Sequence, residues 1–140
     1  MTYLLDTCAI SALRGTIPPH IRTWFSDKKR DQFFVSVVTL AEIEDGIERL
    51  PDSKKKKDLR EWLNGPLYNQ FAGRFIPIDE AIAIAWGQLN ARLTKNGYNV
   101  YAQDIYLAAT AEVHKLEIVT LNVKDFKHTG VTIINPWNQD

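Results

Sequence analysis

Asp6, Glu42 and Asp104 stand out because each follows a strand-like run and opens a helix-like one. In an open α/β sheet the carboxyl ends of parallel strands border a common crevice, where acids distant in sequence meet. Gathered carboxylates repel one another and add little packing. The ordinary reason to gather them is a hard divalent cation held by oxygen ligands. The chemistry such a centre supplies is hydrolysis by a cation-activated water, with phosphodiesters the fitting substrate.

Each acid alone has a plainer explanation. Asp6 can cap a helix by accepting backbone N–H bonds. Thr39-Leu40-Ala41-Glu42 fits the S/T-x-x-E capping box, with Glu42 bonding back to the Thr39 backbone. Asp104 falls in a first helical turn, where the macrodipole favours negative charge. Asn122 and Asp125 can cap a short turn from Asn122 to Phe126. Caps are scattered over a protein, whereas these acids fall on one expected sheet edge, and that coincidence favours a site.

The elements that must position them alternate. Tyr3–Leu5 reads as a strand, and Thr7–Arg14 as a helix stopped by Gly15 and Pro18-Pro19. His20–Asp27 reads as a helix and Phe33–Val37 as a buried strand. Thr39–Leu50 carries Leu40, Ile43, Ile47 and Leu50 on one helical face. A further helix is expected over Ser53–Asn64, broken by Gly65-Pro66, and a brief strand over Phe75–Ile78. Asp79 then caps a long helix that ends at Asn96-Gly97. Ala102–Leu116 is apolar around much of its circumference, which predicts a helix buried between neighbours, and Ile118–Leu121 and Val131–Ile134 complete the strands. This alternation predicts an α/β fold with a mainly parallel sheet and helices on both faces.

The 140 residues suit one domain, with 45% hydrophobic and 24% charged side chains, an ordinary globular balance. With 17 basic and 17 acidic residues, net charge does not predict a nucleic-acid partner, so any such binding needs a local basic surface. The single Cys8 excludes an internal disulfide and a Cys-rich zinc site. The opening residues lack a basic region, and no apolar run reaches the roughly 20 residues of a membrane helix. A cytoplasmic protein without a membrane partner is therefore expected.

Rival chemistries lack their residues. Asp6-Thr7-Cys8 has no second acid two positions on, which disfavours an Asp-x-Asp phosphotransferase. Gly-rich phosphate loops, a G-x-S-x-G elbow and H-E-x-x-H are all absent. His20, His114 and His128 have no metal-ligand spacing. Carboxylates without histidine or thiolate select Mg²⁺ or Mn²⁺ over zinc. The basic runs Lys28-Lys29-Arg30 and Lys54–Lys57 read as solvated faces before they read as RNA contacts, and Trp24, Trp62 and Trp86 as core before base-stacking platforms.

Four ordered motifs carry a family resemblance. Tyr-Leu-Leu-Asp6-Thr-Cys-Ala-Ile-Ser11 resembles the first motif of PIN-domain ribonucleases of the VapC toxin family. Val38-Thr-Leu-Ala-Glu42-Ile-Glu-Asp-Gly46 is similar to the second, Ala102-Gln-Asp104-Ile-Tyr-Leu-Ala-Ala-Thr-Ala111 to the third, and Val119-Thr-Leu-Asn122-Val-Lys-Asp125-Phe126 to the fourth. Phe71-Ala-Gly-Arg-Phe-Ile-Pro-Ile-Asp79 and Ile133-Ile-Asn-Pro-Trp137 resemble the FitB-like branch.

The resemblance implies a three-layer α/β/α PIN-like fold, with a mainly parallel four- or five-stranded sheet, as a single PIN domain over residues 1–140. It implies an Mg²⁺- or Mn²⁺-dependent endoribonuclease, the toxin of a type II toxin–antitoxin system, that leaves a 5′-phosphate. Asp6, Glu42 and Asp104 would be the catalytic and metal residues, with Glu42 also helping to position the nucleophile. Asn122 stands where FitB-like members often carry Asp, so Asn122 and Asp125 are given supporting roles. The implied partners are RNA, a cognate antitoxin, a second copy of the chain in a homodimer, and operator DNA through the antitoxin only. The alternative is a PIN-fold binding subunit of an antitoxin–operator complex, with weak or no nuclease activity.

Overall fold

The computed structural model describes residues 1–138. Five strands, β1 (Tyr3–Leu5), β2 (Phe33–Ser36), β3 (Phe75–Ile76), β4 (Glu117–Val119) and β5 (Ile133–Ile134), form one sheet in the order β3-β2-β1-β4-β5. Every pairing is parallel, with Leu5 opposite both Val35 and Val119. The sheet grows from β1 in one direction through β2 and β3, then in the other through β4 and β5. The topological switch point therefore falls between β1 and β4, and a crevice opens at their carboxyl ends.

Side chains alternate across a strand, so β1 serves two cores. Tyr3 and Leu5 pack with Ala9 and Ile10 of α1 (Thr7–Arg14), Ile43 and Ile47 of α3 (Val37–Glu48), and Leu63, Leu67 and Phe71. Leu4 points to the opposite layer, formed by α6 (Glu80–Lys95) and α7 (Ala102–His114). Burying one such leucine stabilises the fold by about 1.5–3 kcal/mol, so both layers hold β1 firmly. α7 meets its neighbours through Ala108, Ala109 and Ala111, whose small side chains permit the close approach expected of this segment. Two further helices, α2 (Pro19–Ser26) and α4 (Lys54–Trp62), cover the first layer. Arg60 of α4 is clasped by Glu44 and Glu48 of α3. Trp24 and Trp62 pack on one core and Trp86 on the other.

Three expectations need correction. Helix α3 begins at Val37, not Thr39, because the Ser36 side chain accepts the N–H of Val38 and caps the helix. Glu42 is then in the second turn, beyond the reach of a capping box. Gly65-Pro66 does not end the helical course after α4: the chain passes through a π-turn over Leu63–Leu67, which absorbs the proline, into the short α5 (Tyr68–Gln70). Finally, α7 follows α6 through the loop 96–101, so Asp104 enters from a helix and loop instead of a strand. Among the described residues, no helix is long and apolar enough to cross a membrane.

Candidate active site

Asp6 leaves β1 at the switch point and is almost wholly buried, at 4% exposure. Both of its oxygens are engaged. Oδ1 accepts the N–H of Ala9 at 2.8 Å, capping α1, and Oδ2 accepts the hydroxyl proton of Thr120. Thr120, just beyond β4 and fully buried, also accepts the N–H of Asn122 at 2.9 Å. The capping explanation for Asp6 is thus correct for one oxygen, while the other ties the end of β1 to the loop after β4.

Glu42 reaches the same edge from α3, where its Oε1 accepts the Thr7 hydroxyl at 2.8 Å. Asp104, in the first turn of α7, is half-buried. Asp125 belongs to a 3-10 turn, Val123–Asp125, held down by the buried Phe126.

The electrostatics place these acids in one neighbourhood. The Asp104 carboxyl is pushed up to about 6, first by burial and then by the charges of Asp125, Glu42 and Asp6. Asp6 is also raised: burial dominates, the bonds from Thr120 and Ala9 oppose it, and Glu42 and Asp125 add to it. Loss of solvent around the Cys8 sulfur and the charge of Asp6 raise its thiol, while Asn122 opposes them. Negative charges that raise the Asp6 and Asp104 carboxyls create a field that a cation relieves.

Of the two residues considered for the fourth acidic position, Asp125 supplies the charge. Asn122 turns its Nδ2 to Cys8 Sγ at 2.9 Å. Among the described residues, no three His, Cys, Asp or Glu side chains are close enough to hold an ion as they stand. The gathering is therefore electrostatic in range, not a closed set of ligands. His128 stacks on Tyr98 with ring centroids 3.7 Å apart.

The sequence reading missed the hydroxyls of Thr7, Thr39 and Thr120. Their signal was present: Thr7 follows Asp6 directly, and Thr120 is a polar residue at the end of a buried strand.

A PIN domain model matches residues 3–131. Toxin FitB of Neisseria gonorrhoeae is 34% identical over 136 residues, covering 96% of this chain and 98% of its own. VapC ribonuclease Y4jK of Sinorhizobium fredii is 30% identical over 135 residues, covering 96% of each. The solved structure of FitAB bound to an IR36 DNA fragment superposes with a TM-score of 0.88 at 31% identity, over 99% of this chain and 98% of that one. A family match across nearly the whole chain, joined to a five-stranded parallel sheet with acids at its carboxyl edge, makes this chain a member of the PIN-domain family.

Proposed function

We propose that this chain is an Mg²⁺- or Mn²⁺-dependent endoribonuclease and the toxin of a toxin–antitoxin pair. The observation that carries the reading is the shared field of Asp6, Glu42, Asp104 and Asp125 in a half-buried crevice at the switch point. The donor set is all oxygen, which fits a hard cation, and the raised Asp104 carboxyl is the group such a cation would hold ionised.

Asp6, Asp104 and Glu42 would hold the ion, drawn inward from their present spacing. When bound, the cation supplies charge neutralisation at the phosphate and acidifies water near neutral pH. The protein's part is to fix the carboxylates. Thr120 and the Ala9 N–H prevent Asp6 from rotating, and Glu42 would help to orient the attacking water. Asp125 strengthens the negative field, and Asn122 adds polarity without charge. Without a cation the crevice repels an RNA backbone, so the ion serves substrate entry as well as chemistry.

The partner assignment draws on the relatives, which include a protein named as a toxin and a solved FitAB complex on DNA. By that likeness this chain pairs with an antitoxin and meets operator DNA through it, and the family resemblance adds a homodimer. The decisive experiment is RNA cleavage by the purified chain with and without EDTA, with Mg²⁺ or Mn²⁺ restored. Cleavage should vanish with chelation and in Asp6→Asn, whose fold should remain intact by thermal melting. Metal-independent cleavage, or none under any metal, overturns the reading. Operator binding in an antitoxin complex without cleavage would favour the binding-subunit alternative.

A further inference from the structure

Thr7 is the first residue of α1, a position where a threonine hydroxyl ordinarily bonds its own backbone or water. Here it reaches another element, 35 residues away, and donates to Glu42 Oε1 at 2.8 Å. Its oxygen also lies 3.3 Å from Thr39 Oγ1, and Thr39 is fully buried. A hydroxyl has a single proton. Because Thr7 gives that proton to Glu42, the proton between the two threonines belongs to Thr39. The result is a directed chain from Thr39 through Thr7 to Glu42, in which each bond polarises the next.

We propose that Thr7 is a positioning residue for Glu42: its hydroxyl, backed by Thr39, fixes one carboxylate oxygen and leaves the other turned to a cation in the crevice. Among the described residues no hydrogen bond reaches Oε2, which agrees with this division of labour. The inference rests on the metal-dependent reading above and adds to it the group that sets the angle of the acid on α3. Hydrogen-bonded supports of this kind typically alter metal affinity or activity by about 10–100-fold when removed.

The test compares Thr7→Val, which keeps shape and loses the hydroxyl, with Thr7→Ser, which keeps the hydroxyl. Three quantities are read: Mn²⁺ affinity by calorimetry, the ¹³C resonance of the Glu42 carboxyl in metal-free protein at one pH, and melting temperature. Thr7→Val should bind Mn²⁺ about 10–100-fold more weakly with a displaced Glu42 resonance, and Thr7→Ser should stay within about threefold of wild type. In a Glu42→Gln background Thr7→Val should add little, because Thr7 acts through that side chain. Wild-type affinity and an unmoved resonance in Thr7→Val overturn the proposal, as does a Thr7→Ser variant as weak as Thr7→Val. Should Thr7→Val fail to fold, Thr39→Ala should displace the same resonance by a smaller amount, and an unmoved resonance there overturns the proposal. If wild type takes up no Mn²⁺, the nuclease reading falls and the cation part of this inference with it, while the Glu42 resonance still decides whether Thr7 holds the carboxylate.

Discussion

Asp125 imposes a larger charge effect on Asp104 than Glu42 or Asp6 does. The two acids come from different connections, the 3-10 turn after β4 and the first turn of α7. Asp125→Asn should therefore let the Asp104 carboxyl fall from about 6 toward the ordinary carboxylate range. A carboxyl NMR titration of metal-free protein reads this directly, and an unmoved midpoint would separate the two acids.

The sign of the pH effect on stability follows from the same shift. An acid raised from 3.8 to about 6 holds its proton more tightly folded than unfolded. Its contribution is full below the unfolded value and is lost as pH rises through the folded one. Asp104→Asn removes that loss, so at pH 7.5 metal-free Asp104→Asn should be more stable than wild type by roughly 1–2 kcal/mol, discounted for partial solvent access. The difference should shrink to nothing below about pH 3, as paired thermal melts would show. If Asp104 holds the proposed cation, cleavage by Asp104→Asn should meanwhile fall by at least about two orders of magnitude.

On the proposed metal-dependent reading, protons and cations compete for the same oxygens. Mn²⁺ affinity should tighten by up to about tenfold per pH unit as pH rises toward 6, then level off. Calorimetry at pH 5 and pH 7.5 tests it, and equal affinities would mean the ion binds elsewhere.

Thr120 is a second buried hydroxyl with consequences for stability. Thr120→Val leaves Asp6 Oδ2 and the Asn122 N–H without their partner, which costs about 1–3 kcal/mol. Thr120→Ser should recover most of it in urea unfolding.

The start of α3 gives a clean discrimination. Ser36→Ala should cost about 1 kcal/mol, because Ser36 is the cap. Glu42→Gln should leave urea unfolding within about 0.5 kcal/mol of wild type, because Glu42 caps nothing. The reverse result would restore the capping box at Thr39.

The alternation of strands and helices was readable because buried parallel strands are short β-branched and aromatic runs, and Phe33–Ser36 and Glu117–Val119 fall close to their expected places. The approach to Asp104 was not readable: a loop between two packed helices carries no apolar period, so loop 96–101 looked like the lead into a junction. Glu42 misled locally because Thr39 and Glu42 have capping-box spacing, while Ser36 outcompetes Thr39 from the end of β2. The turn of Asn122 toward Cys8 is a long-range contact that no local pattern encodes. The contact between Thr7 and Thr39 was likewise hidden, because the two are neighbours only once α1 and α3 lie side by side.

Pairing β1 with β4 brings Asp6 beside Thr120 across 114 positions of sequence. A chain still emerging from the ribosome therefore holds Asp6 and Glu42 long before it holds the strand that completes their surroundings. Until β4 and the turn after it arrive, the nascent polypeptide has neither the Thr120 lock nor Asp125. A chain stopped before β4 therefore holds only part of the acidic crevice, which is completed when the sheet closes.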